Sequence, residues 1–412
     1  MYMSSDSLLF LFLFLVGFGF VFDKVLDFIN TRNWKEEIPS SMKGYYDQEK
    51  YSKSRKYHQE KGKIALVQSI LMFVIIINIL IFGVFGKLDT YVMSIADDEF
   101  FRAALFFCFL MIASEVISIP FSIYDTFVLE EKYDFNKTSA GTYILDKFKS
   151  YVLMAIIGGG LLWVVLFVIG HINEGYWYWL WLILVSFMLL MNMFYADIIL
   201  PIFNKLKPLE EGELRNEIKS YANKVGYSLK NIYVIDGSKR STKANAFFSG
   251  LGPRKTIALY DTLIEKHTTK ELVAVLAHEV GHFKKKHIRT SMILSIFQTG
   301  IILFLLEYFL SYPAATQALG ANSPSFHVGV IAFSLVFSPL GTIIGILMNI
   351  LSRKNEFEAD EYAKNTYDGG SLQVALKKLS VDNLSNLYPH KAYVFVHYSH
   401  PPLLKRLDKL NQ

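Results

Sequence analysis

Long apolar runs separated by polar segments of very unequal length set the pattern of this chain. Residues 64–86, 150–173 and 175–196 contain no Asp, Glu, Lys or Arg, and 103–124 contain only Glu115. Residues 290–310 contain only Glu307, and 308–352 contain none, with 328–350 the most apolar part. A helix crosses a bilayer with about 20 apolar residues. The pattern therefore predicts spans at 6–26, 65–86, 103–123, 150–171, 177–197, 290–310 and 328–350. The first is the shortest run (7–22), extended by Val25, Leu26, Phe28 and Ile29. No basic segment precedes it and no small-residue cleavage site follows, so it is expected to remain a span rather than a signal peptide.

The polar segments carry basic residues unevenly. Residues 24–63 hold ten Lys/Arg and 125–149 hold four, whereas 87–102 hold two and 174–176 and 311–327 hold none. Basic loops stay in the cytosol, which assigns 23–64, 124–149, 198–289 and 351–412 to that side. Residues 198–289 are too polar to span and long enough to fold. An amphipathic helix is predicted at 209–225, strands at 231–236, 245–249 and 256–260, a turn at 250–253, and a helix beginning near Lys270. The strand around Asn245, Ala246, Phe247 and Phe248 is a candidate sheet edge to which an extended peptide adds through main-chain hydrogen bonds. Packing as an ordinary strand is the alternative. The division follows: 1–197 as a membrane region with five spans, and 198–412 as a second unit carrying two more spans and a C-terminal helical region.

That last predicted helix contains His278-Glu279-Val280-Gly281-His282, an HExxH pattern. Residues i and i+4 share a helix face, so His278 and His282 can point at one metal ion while Glu279 stands beside it as a general base. Zinc in a hydrolytic site takes three protein ligands and a water whose pKa falls to about 7. The third ligand is expected from the later helical segment, with Glu356 first and Glu358 and Glu361 as rivals that spacing does not exclude. Asp360, one turn after Glu356, suits a carboxylate that orients a ligating histidine. A solvated surface helix with Glu279 paired to Lys284 is the bland alternative, and the apolar residues leading into the motif argue against it. Both motifs fall on the same predicted side of the membrane. Near the C-terminus, His400 and Arg406 are candidates for stabilising an oxyanion. Glu115, near Pro120, is expected to line a polar cavity and Glu307 to lie at the outer interface.

Composition adds little. The 412 residues are 52% hydrophobic and 15% aromatic, with mean hydropathy +0.30, too apolar for an ordinary soluble protein. The net charge of +5 belongs to the predicted cytosolic loops, and no nucleic-acid-binding module is recognisable. The single cysteine, Cys108, lies within a span and excludes an intramolecular disulfide.

Residues 121–132, 195–197, 236–241 and 245–248, the HExxH helix, residues 356–360 and the segment 397–402 together resemble the type I CAAX prenyl endopeptidases, integral-membrane zinc metalloproteases. The resemblance covers nearly the whole chain from about residue 24. It implies a mainly α, multi-pass fold: seven transmembrane helices forming a barrel around an intramembrane chamber, with a small α+β metalloprotease domain on the cytosolic side. It further implies one Zn2+ held by His278, His282 and Glu356, Glu279 as base, Asp360 behind the ligands, His400 and Arg406 as a second cluster, and Asn245 on the substrate-aligning strand. The implied partners are a lipidated peptide or protein and the bilayer, in the endoplasmic reticulum membrane of a eukaryote or the cell membrane of a bacterium. Glu358 departs from the family, whose members often have glutamine there. Two other readings stay open: a quality-control membrane protease indifferent to lipid, and a transporter or receptor with a vestigial metal site.

Overall fold

The computed structural model describes residues 3–172, 174–249 and 256–412. Among them, seven helices are long and apolar enough to cross a membrane: Ser5–Arg32, Gln48–Ile81, Glu99–Glu130, Ala140–His171, Tyr176–Phe203, His287–Leu310 and Phe326–Thr366. We number these spans one to seven. Each packs on the next in chain order and the seventh returns to the first, so the spans close a ring, which is bridged at one end where Phe106 of the third span meets His327 of the seventh. Only 6–11% of each apolar window is buried. A solid bundle would bury its inward faces, whereas a ring open inside leaves both lipid-facing and inner faces uncovered. Phe10, Phe14, Phe18 and Val21 of the first span illustrate this exposure.

Several boundaries differ from the sequence pattern for local reasons. The second span ends at Ile81, not 86, because Gly83 adopts a left-handed conformation (φ 58°) and starts a separate helix, Val84–Ile95. That short helix meets the 319–321 turn closely: a Cβ on Gly86 would lie 1.9 Å from the Gly320 carbonyl carbon. The fourth span begins at Ala140, capped by Ser139, whose hydroxyl accepts from the Thr142 N–H. Lys147 therefore lies in the helix and pairs with Glu115 of the third span at 2.6 Å. Glu307, near the end of the sixth span, accepts from the backbone N–H groups of Gly175 (2.7 Å) and Trp177 (2.8 Å) at the start of the fifth. The seventh helix does not stop at 350. It runs on to Thr366, so one rod carries both a membrane span and the second metal motif.

The segment between the fifth and sixth spans builds a four-stranded sheet. Its strands are β1 (Leu206–Pro208), β2 (Asn231–Ile235), β3 (Ala246–Ser249) and β4 (Thr256–Tyr260), in the order β1-β2-β4-β3. β2 and β4 are parallel and the outer pairs antiparallel. β1 is too short and proline-ended to show in the hydrophobic pattern. The helix predicted from 209 starts at Glu213, while Leu209 is buried in the core below it. The turn predicted at 250–253 lies outside the described residues. Ile218, Tyr221, Ile257 and Leu259 pack against Leu272, Val273, Leu276 and Val280 of the helix Thr269–Lys284.

Candidate metal centre

The HExxH helix is anchored at its start. Thr268 and Glu271 form a reciprocal capping box, which satisfies two otherwise unpaired backbone donors. Glu271 also accepts from Lys378 Nζ at 2.8 Å and lies 3.0 Å from His267 Nδ1. Burial pushes the Glu271 carboxyl up, but Lys378, the Thr268 N–H and His267 outweigh it and hold it below its ordinary value.

The helix then presses on the seventh one. A Cβ on Gly281 would lie 3.0 Å from Ala359 Cα and 3.1 Å from its carbonyl oxygen, so the glycine inside the motif sets how closely the two approach. Across that contact His278, His282 and Glu356 converge. One ligand atom from each lies within 4.8 Å of the others. His278 Nε2 is 3.2 Å from His282 Nε2 and 3.4 Å from Glu356 Oε2, and His282 Nε2 is 3.3 Å from Glu356 Oε1. Of the rival carboxylates, Glu358 lies 3.0 Å from His287 Nε2, and Glu361 is exposed.

Behind the three, a buried network holds them. Asp360 Oδ1 is 2.9 Å from His278 Nδ1. Arg406 donates to both Asp360 oxygens, through Nε at 2.8 Å and Nη2 at 2.6 Å, and places Nη1 3.2 Å from Glu356 Oε2. Burial works against charge on His278, yet the hydrogen bonds to Asp360 and Glu356 outweigh it and hold the imidazole up at about 9. Two imidazole nitrogens facing one carboxylate is a donor set that suits a divalent ion. Glu356 Oε2 is buried without a well-aligned hydrogen bond and is faced by Arg406 Nη1 and His278 Nε2, while Oε1 faces His282 Nε2 and His400 Nε2.

The remaining candidates are arranged around this cluster. Glu279 is half-buried on the same helix. His400 is exposed, with Nε2 3.3 Å from Glu356 Oε1 and Nδ1 2.9 Å from the Ser399 hydroxyl. Arg353, one turn before Glu356, donates to the carbonyls of Val394, Phe395 and Tyr398 and so ties down the segment leading to His400. Asn245 precedes β3, which is an edge strand of the sheet. Its carbonyl accepts from the Tyr260 N–H at 3.2 Å, and its side chain accepts from the Ala246 N–H at 2.9 Å. The side chains of Phe247 and Phe248 lie outside the described residues. Sequence reasoning missed Arg353 and His287; the only signal for the latter was a third histidine five residues after the motif.

Comparison with known proteins fits this geometry. Residues 28–205 match the family model "CAAX prenyl protease N-terminal, five membrane helices", and residues 208–412 match peptidase family M48. The chain belongs to peptidase family M48. The chain is 32% identical to CAAX prenyl protease 1 homolog of Oryza sativa, covering 95% of this chain and 94% of that one. It is 32% identical to CAAX prenyl protease 1 of Saccharomyces cerevisiae, covering 95% and 92%. The crystal structure of S. mikatae Ste24p superposes with a TM-score of 0.93 at 30% identity, over 98% of this chain and 99% of that one. This M48 peptidase is thus a multi-pass membrane metalloendopeptidase.

Proposed function

We propose that this M48 peptidase is a zinc endopeptidase that removes the C-terminal tripeptide of prenylated CAAX proteins, with its active site facing the cytosol. The convergence of His278, His282 and Glu356 carries the reading. The names of its relatives, CAAX prenyl protease 1 in rice and yeast, support the substrate class. The basic residues of 24–63 support the orientation.

In this reading His278, His282 and Glu356 hold one Zn2+, which when bound supplies Lewis acidity and lowers the pKa of water. Glu279 takes the proton of the attacking water and passes it to the leaving amine. In the tautomer that carries its proton on Nε2, His400 accepts from the Ser399 hydroxyl at Nδ1 and turns an N–H to the developing oxyanion. Arg406 acts through Asp360 and Glu356, to which its guanidinium is committed. The peptide adds to the open edge of β3 beside Asn245, Ala246 and Phe247. With Asn245 pairing to Tyr260, the alternation of an antiparallel ladder turns the main-chain groups of Ala246 and Phe248 toward that edge, where the Asn245 side chain holds the Ala246 N–H and would yield it to the peptide.

The test is cleavage of a farnesylated CAAX peptide and its unlipidated twin by purified protein. Cleavage of the lipidated peptide alone, absent in Glu279→Gln, is expected. Equal cleavage of both would replace the proposal with a lipid-indifferent protease.

A further inference from the structure

His282 stands at one end of a hydrogen-bonded chain that the scheme above leaves unused. Its Nδ1 lies 3.1 Å from His287 Nδ1, and His287 Nε2 lies 3.0 Å from Glu358 Oε2. His287 is buried and opens the sixth-span helix, just after Lys286 in the left-handed conformation (φ 63°). Glu358 sits two residues beyond Glu356 on the seventh helix, with its other oxygen 3.7 Å from Lys354 Nζ. His278 is backed by a carboxylate directly, through Asp360. His282 is backed by one through an intervening ring.

The protons in such a chain have one consistent order. A histidine that ligates through Nε2 keeps its proton on Nδ1. His282 Nδ1–H then donates to His287 Nδ1, which must carry a lone pair. The His287 proton is therefore on Nε2 and donates to Glu358, a carboxylate that only accepts. Both rings line a pocket of about 370 Å³ whose other walls are mixed, with Asn192, Ser291 and Asn355 beside Met188, Ile288 and Met292.

We propose that His287 and Glu358 are positioning residues for the metal: they fix the tautomer and ring orientation of His282, and the Glu358 charge strengthens Nε2 as a ligand. The inference rests on His282 being a zinc ligand.

The experiment measures the apparent zinc affinity of the purified full-length protein by competition with a chelator, together with the melting temperature of the zinc-free form. Glu358→Ala and His287→Phe are expected to bind zinc about 10-fold more weakly or worse. Glu358→Gln keeps an accepting oxygen without the charge and should fall between them and wild type. The zinc-free melting temperatures should be unchanged. Wild-type affinity in Glu358→Ala and His287→Phe would overturn the proposal. So would a loss of zinc-free stability in step with affinity, since that marks a merely structural role. His282→Ala separates the two levels: if it retains one zinc per chain, the ligand assignment itself is wrong, whereas its loss of zinc beside unaffected relay variants defeats the relay alone.

Discussion

Arg406 is the buried cation on which two carboxylates of the centre lean. Its guanidinium meets Asp360 with two hydrogen bonds and reaches Glu356 with a third nitrogen. Removing one member of such a buried pair leaves the other charged and unsolvated, at a cost of about 3–5 kcal/mol. Arg406→Ala is therefore expected to lower folding stability by about that much in denaturant unfolding and to weaken zinc binding. Arg406→Lys should recover only part, because an ammonium cannot reproduce the planar fork. Near-wild-type stability in Arg406→Ala would contradict this account. At this scale the motif itself was legible, since i and i+4 place two histidines on one face whatever surrounds them. The choice among Glu356, Glu358 and Glu361 was not, because it depends on which face of the seventh helix meets the motif. Arg353 was invisible for a similar reason: its partners are carbonyls more than 40 residues away.

Two helices make the centre, and their separation is set by Gly281. A methyl there would press on Ala359 and Tyr362 at 3.0–3.1 Å, so the helices must part by a few tenths of an ångström. Gly281→Ala is expected to lower zinc affinity and turnover together, with about 1–3 kcal/mol of lost stability from overpacking, measured by chelator competition and thermal unfolding. A variant with unchanged affinity would show that the approach is not limiting. The start of the helix carries a pH dependence. Glu271 has a depressed folded-state pKa, so its contribution is present above its unfolded value of about 4.5 and is lost as the pH falls through the folded one. Burial also lowers the His267 pKa, despite the neighbouring Glu271. The unfolded chain therefore takes up that proton first as the pH drops below about 6.5, and the sign is the same. Stability should fall on acidification across this range, and Glu271→Gln should flatten the part below about 4.5. The element pattern was legible where hydrophobic runs were long. It failed at Gly83, where one left-handed residue ends a helix within an uninterrupted apolar run, and at β1, where three residues carry no periodicity.

At the scale of the molecule, the sequence pattern shows seven spans but not their closure. The ring depends on contacts between the first and seventh spans, which no local pattern encodes. Its consequence is that the metal centre joins two parts of the chain that lie on either side of the sixth span: the helix Thr269–Lys284 and the far end of the seventh span. The most direct test of the account is zinc stoichiometry measured beside cleavage of the farnesylated peptide in Glu279→Gln and Glu356→Gln. Glu279→Gln should hold one zinc per chain and turn over nothing, and Glu356→Gln should lose both zinc and activity. Zinc lost from Glu279→Gln, or an active zinc-loaded Glu356→Gln, would contradict it.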